Sequence, residues 1–376
     1  MPDPSIALLR ELVAIDSVNP SLVPGAAGEG AIGEAIAHHL RHLGLAVTLQ
    51  EVVPGRRNVI GVLDGAEPGR SLMLCGHMDT VGVEGMAAPF DPVEREGRLY
   101  GRGAQDMKGG LAAMMDAARV AQNRGFRKGR LIVAAVIDEE YASIGADALA
   151  REWAADAAVV TEPTDLQVGV AHKGFAWVEI QASGRAAHGS RPADGCDAIF
   201  RMGRILQRLE QLDRELQARP AHPLMGVASL HAATIDGGRE WSSYPELCTL
   251  RVERRTVAGE SGDSILREVA AILRDLTRED PSFTAAATLR FARPAYEVPN
   301  QDPLPGVLVE AARAAGVTAG PVGMSFWTDA AILGAAGIPS VLFGPGGAGL
   351  HSNEEYVRTA DMIACRDVLA FLIDDL

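Results

Sequence analysis

Histidines and carboxylates follow the apolar runs of this chain with a regularity that suits metal chemistry. The run SLMLCG is followed by His77 and then Asp79, LIVAAVI by Asp138, Glu139 and Glu140, and AAVVT by Glu162. SVLFG leads through a glycine-rich loop to His351, and Asp106 stands in GRGAQDMKGG just ahead of a helical pattern. In open α/β sheets ligands bind beyond the carboxyl ends of the strands, so residues placed there converge on one edge. Taken singly each has a plainer explanation, since an Asp before a helix commonly caps it and an acid after a strand commonly faces solvent. Gathered at one edge, two histidines and three or more carboxylates repel strongly without a cation. Mixed imidazole and carboxylate donors suit zinc, manganese or cobalt rather than calcium. Two metals sharing one carboxylate account for the inventory best.

The elements that must carry these residues alternate. A helical stretch near residues 28 to 43 stops at Gly44, followed by strand-like LAVTLQEV and NVIGVL, then SLMLCG, and a helix from about Gly109 to Asn123. LIVAAVI and AAVV come next. Runs apolar on both faces and separated by helices predict an α/β fold, a mixed, mostly parallel sheet with helices on both faces. From about Phe175 the pattern changes to strand FAWVEIQASG, helix 194 to 219, strands VASLHAATI and ELCTLRVERRTV, helix 262 to 278 and strand AAATLRFA. That β-α-β-β-α-β order is the ferredoxin-like α+β unit, with an open sheet face or edge that could pair with another subunit. The first pattern then resumes with helices near 304 to 315 and 328 to 336, strand SVLFG and a last helix from about Thr359. The α+β unit, residues 174–293, is therefore expected as an insertion into a discontinuous catalytic domain of residues 1–173 and 294–376.

Composition narrows the partners. The chain has 376 residues, 47% hydrophobic and 22% charged, which is ordinary globular usage and enough for two domains. Lys plus Arg number 35 against 49 for Asp plus Glu, and the formal charge of -14 argues against nucleic acid or an anionic membrane as partner. The opening MPDPSIALLRELVAIDS lacks a basic leader region and reads as a first helix. No apolar run approaches the roughly 20 residues of a membrane span. Cys75, Cys196, Cys248 and Cys365 lie far apart without C-x-x-C spacing, so free thiols in the cytoplasm are expected.

The ordered motifs GHMDTV, GRGAQDMKGG, DEEYASIGA, TEPT, GRAAHGSRP and GPGGAGLHSNEEYV closely resemble those of the M20 metallopeptidase and deacylase family, nearly end to end. The resemblance implies two divalent metals, zinc first with cobalt or manganese as alternatives, and Asp106 bridging them. His77 and Glu162 would complete one metal site, Glu140 and His351 the other. Glu139 would be the general base, taking a proton from water and passing it to the leaving nitrogen. Asp79, two residues past His77, would hold the imidazole in the right tautomer. His188 would stabilise the oxyanion, reaching across a homodimer built through the inserted lid domain.

The expected reaction is hydrolysis of an N-acyl amino acid, of the acetylornithine deacetylase or desuccinylase kind. A dipeptidase or carboxypeptidase on the same metals is the nearest alternative, and a catalytically silent metal-binding homologue the alternative of another class. Arg255 in VERRTV matches the family's lid arginine, which clamps a substrate carboxylate. Its neighbour Arg254 should point to the opposite face of the strand. Two departures bear on the polar end of the substrate: Ser242 stands where the family has Asn, and Ala258 where it has Pro. Gly346, in the loop before His351, is expected to bring backbone close to the substrate.

Overall fold

The computed structural model describes residues 3–375, which form two compact units. The first comprises the chain up to Val170, Val298–Val322 and the segment from Thr328 onward. Its central sheet runs in the order Ala46–Val53, Arg56–Asp64, Lys128–Val136, Glu67–His77, Ala157–Val160, Ser340–Leu342 and Val168–His172. The four strands from Lys128–Val136 to Ser340–Leu342 are mutually parallel, and the flanking ones antiparallel. Helices Pro4–Val13, Gly109–Asn123, Leu304–Ala314 and Thr359–Asp374 pack together on one face; Gly30–His42, Ile144–Glu152 and Ala330–Ala335 cover the other. Burial on both faces explains the unbroken apolar runs: Leu72–Cys75 and Leu131–Ile137 are sealed from solvent.

Because four strands run in parallel, their carboxyl ends meet at one edge. His77 closes its strand there, Asp138–Glu140 follow the second, Glu162 comes two residues after the third, and the loop after Leu342 leads to His351. Helix Gly109–Asn123 starts tight against this edge. A Cβ on Gly110 would lie 2.0 Å from the Thr161 carbonyl, so only glycine admits the approach beside Glu162.

The second unit comprises Ala171–Glu297 with Gly323–Trp327. It is a few residues wider than 174–293, and contacts explain the addition: Trp327 donates its indole N–H to the Pro294 carbonyl at 3.1 Å. Its antiparallel sheet has the order Ser229–Gly237, Leu247–Thr256, Gly174–Ser183 and Thr284–Arg293, backed by helices Ala198–Gln217 and Gly262–Glu279. This is the ferredoxin-like order. The first helix starts at Ala198 because Asp197 caps it, accepting from the Ile199 and Phe200 N–H groups. Along Leu247–Thr256 burial alternates, which sends Arg254 into the core and Arg255 to the other face. Among the described residues no helix is long and apolar enough to cross a membrane.

Candidate metal centre

At the carboxyl edge of the first unit's sheet, two histidines flank one carboxylate. Nε2 of His77 lies 3.0 Å from Oδ1 of Asp106, and Nε2 of His351 lies 3.4 Å from Oδ2. His77 also faces Glu162 at 3.7 Å and Glu139 at 4.0 Å, while His351 faces Glu140 at 3.2 Å. Donor atoms of His77, Glu139 and Glu162, and again of His77, Asp106 and Glu140, fall within 4.8 Å of one another. His77 is buried and the His351 side chain is half exposed, so the cluster opens on the His351 side.

Irregular backbone aims these groups. The chain turns through Gly103 at φ +78°, and Asp106 (φ -118°, ψ 95°) and Met107 (φ -130°, ψ 35°) break the helical turn that follows. In this first turn the Asp106 N–H has no carbonyl one turn back, and the Glu355 carboxylate accepts it at 3.1 Å. Glu355 also accepts the N–H groups of Gly103 and Gln105 and a guanidinium N–H of Arg102, at 2.7–3.0 Å. The acidic turn is pinned likewise. Asp138 has φ +68°, and the Asp79 carboxylate accepts the Glu139 and Glu140 N–H groups, each at 3.1 Å. Behind it the Asn19 amide donates to Asp79 and Asp138, and Arg56 donates to Asp138 and Glu29.

Burial raises the pKa of Glu139 and Glu162 well above the ordinary carboxylate range; the His77 charge opposes this and neighbouring carboxylates add to it. For Asp106, burial is outweighed by hydrogen bonds from His351 and His77, which hold the carboxyl below its usual range. His351 is pushed up to about 10, first by its hydrogen bonds to Asp106 and Glu140. The cluster thus carries more negative charge than buried groups tolerate unaided. One oxygen of Glu140 is buried with no hydrogen-bond partner. Carboxylates crowded around imidazoles, with a carboxylate oxygen left over, are a donor set that fits two borderline divalent cations.

His188, Ser242 and Arg255 belong to the second unit. Loops 187–189 and 242–244 adjoin there: the Gly189 N–H donates to the Ser242 carbonyl at 2.7 Å, and Nδ1 of His188 meets the Ser190 hydroxyl at 2.8 Å. Trp241, beside Ser242, is fully exposed. Arg255 pairs with Glu253 at 2.7 Å and lies over the Phe175 ring. Gly346 is buried in the first unit, where a Cβ would collide with the Arg358 guanidinium and the Asp165 carboxylate. These are the ends of exposed side chains, which a Cβ would displace.

Sequence reasoning did not single out Glu355, Arg102, Asn19 or Arg56. Glu355 and Arg102 lie inside the quoted motifs, yet their partners are about 250 positions away along the chain.

Known proteins resemble this chain over most of its length. Peptidase family M20/M25/M40 matches residues 73–375. An acetylornithine deacetylase of Myxococcus xanthus is 34% identical over 324 residues, covering 83% of this chain and 82% of that protein. An N-formyl-4-amino-5-aminomethyl-2-methylpyrimidine deformylase of Bacillus subtilis is 30% identical over 406 residues, covering 98% and 93%. Among solved structures, a dinuclear metal-binding peptidase of the M20 family from Bacillus subtilis superposes with a TM-score of 0.75 at 17% identity, covering 99% and 97%. The chain belongs to peptidase family M20/M25/M40 and is a hydrolase of amide bonds.

Proposed function

We propose that this enzyme removes the acyl group from an N-acylated amino acid or a comparable small amine, using two divalent metals, zinc by preference. The observation that carries the reading is the placement of Asp106, which offers one oxygen to each histidine. His77 and Glu162 would hold one ion, Glu140 and His351 the other, and Asp106 both. When bound, the ions supply Lewis acidity to the amide carbonyl and acidify water. Glu139 takes the proton of the attacking water and delivers it to the leaving nitrogen, so that a carboxylate and an amine are released. Its main chain is fastened to Asp79, which keeps Oε2 beside the cluster. His188 donates to the developing oxyanion, and Ser242 and Arg255 bind the polar end of the substrate. The relatives named for deacetylase and deformylase reactions support a short acyl group.

The second unit is read as a lid that also joins two copies. Ser229–Gly237 is an edge strand, and Ile199, Phe200, Ile235, Trp241 and Leu247 are exposed in the same unit. The four cysteines are free, in keeping with a cytoplasmic enzyme.

The test is hydrolysis of N-formyl, N-acetyl and N-succinyl amino acids and of dipeptides by metal-stripped protein restored with zinc, cobalt or manganese, with Glu139→Gln alongside. Metal-dependent cleavage of one N-acyl class, lost in the variant by about 100-fold or more, is expected. Faster cleavage of dipeptides would replace deacylation by peptidase action, and metal binding without turnover of any substrate would remove both.

A further inference from the structure

We propose that Glu355 is a positioning residue for the two-metal site: its carboxylate fixes the Asp106 loop and, through Arg102, ties that loop to the one carrying His351. This rests on the reading of Asp106 and His351 as metal ligands. Gly103, Gln105 and Asp106 stand at the cap and first turn of a short helical stretch, where main-chain N–H groups have no helical acceptor. Three of these N–H groups converge on one buried side chain. Oε1 of Glu355 accepts Gln105 at 2.8 Å and Asp106 at 3.1 Å; Oε2 accepts Gly103 at 3.0 Å and Arg102 at 2.7 Å. Arg102 then reaches the main-chain oxygen of Ser352, next to His351, at 3.0 Å. Arg102 and Glu355 are both sealed from solvent, with side-chain exposures of 3% and 1%. A buried ion pair adds little net stability but is costly to break, so its observable consequence is geometry.

The geometry has a direct chemical reading. A carboxylate that would serve two cations has to offer one oxygen to each, and a hold on the Asp106 main chain, at φ -118° and ψ 95°, decides where its oxygens stand between His77 and His351. Glu355 provides that hold through the Asp106 N–H itself. Removing the acceptor leaves three N–H groups and a guanidinium without their partner. The loop then relaxes toward the helical ladder, and the Asp106 oxygens turn away from His351.

Glu355→Gln tests this, because it keeps the shape and replaces one acceptor oxygen with an amide N–H that opposes its donors. Zinc titration of the metal-free protein by calorimetry should show two ions per chain for the parent. For Glu355→Gln one of the two should bind about 10- to 100-fold more weakly. Turnover should fall while KM changes less than about threefold. Arg102→Lys, which keeps the charge but not the planar fork, should show the same pattern more weakly. Leu308→Val, in a fully buried position far along the chain, supplies a variant with lowered melting temperature and unaltered metal binding. If Glu355→Gln binds both ions as tightly as the parent and loses only melting temperature, the inference fails. A parent that binds fewer than two ions would instead defeat the two-metal reading on which it rests. Should Glu355→Gln not fold, Arg102→Lys decides between the outcomes by the same titration.

Discussion

The carboxylate of Asp79 stands 3.8 Å from Nδ1 of His77, while the main-chain oxygen of the same residue lies at 2.9 Å. A carbonyl oxygen can only accept, so Nδ1 carries the hydrogen and Nε2 is the ring atom facing the carboxylates. The backbone thereby sets the tautomer, and the Asp79 side chain is left to hold the acidic turn. Asp79→Asn offers one acceptor oxygen where two main-chain N–H groups need one each. Metal affinity should drop about 10- to 100-fold with turnover falling alongside. The tautomer of His77, read by nitrogen NMR, should stay the same; a changed tautomer would return the tautomer-setting role to the carboxylate.

Arg56 is the cation facing two carboxylates whose side chains are only 1% exposed, Glu29 at 2.5 Å and Asp138 at 2.9 Å. Arg56→Met strands both charges, at a cost of about 3–5 kcal/mol. Urea denaturation should show the loss, and the double variant Arg56→Met with Glu29→Gln should recover part of it. A midpoint equal to the parent's would mean that water already satisfies these acids.

Crowded carboxylates also make folding depend on the ions. Each bound ion at a free concentration about a hundredfold above its Kd adds roughly 2.7 kcal/mol. Thermal unfolding with a chelator should therefore occur several degrees lower than with zinc. Restoring zinc should recover the difference, and identical curves would count against metal binding at this cluster.

His172 supplies a pH test in the second unit. Its ring is fully buried against Tyr296 and Trp327, and burial pushes its pKa down to about 4. The unfolded chain takes up this proton near pH 6.5, so between there and about 4 it binds more protons than the folded state. Stability is intact above that window and falls as the pH drops through it, by about 3 kcal/mol in all from this group. His172→Asn keeps a donor for the Lys173 carbonyl and should flatten the slope; an unchanged slope would assign it to other groups.

What could be read in advance follows from which forces are local. Leu72–Cys75 and Leu131–Ile137 declare themselves because a strand covered on both sides must be apolar throughout, and the residues after such strands must share an edge. Hence His77, Asp106, Glu139, Glu140, Glu162 and His351 could be nominated together before any coordinates. The ferredoxin-like order was equally visible, though its first helix begins at Ala198 rather than 194, because an Asp197 cap is decided by local geometry. Arg56 and Glu355 could not be found this way. Their partners are distant in the chain, and a charged residue carries no pattern that announces burial. Arg255 remains the least legible: alternation placed it correctly opposite Arg254, yet its nearest charge is Glu253.

The order of the cluster along the chain also sets a timetable for its assembly. His77, Asp106, Glu139, Glu140 and Glu162 are all synthesised before the second unit, and His351 comes 189 residues after Glu162 (351 − 162). At about 5–20 residues per second, roughly ten to forty seconds separate the two on the ribosome. During that interval the nascent chain holds most of its acids without the imidazole that completes the second group. The acids around His77 are thus all made before the second unit, and the group around His351 is completed only once that histidine has been added.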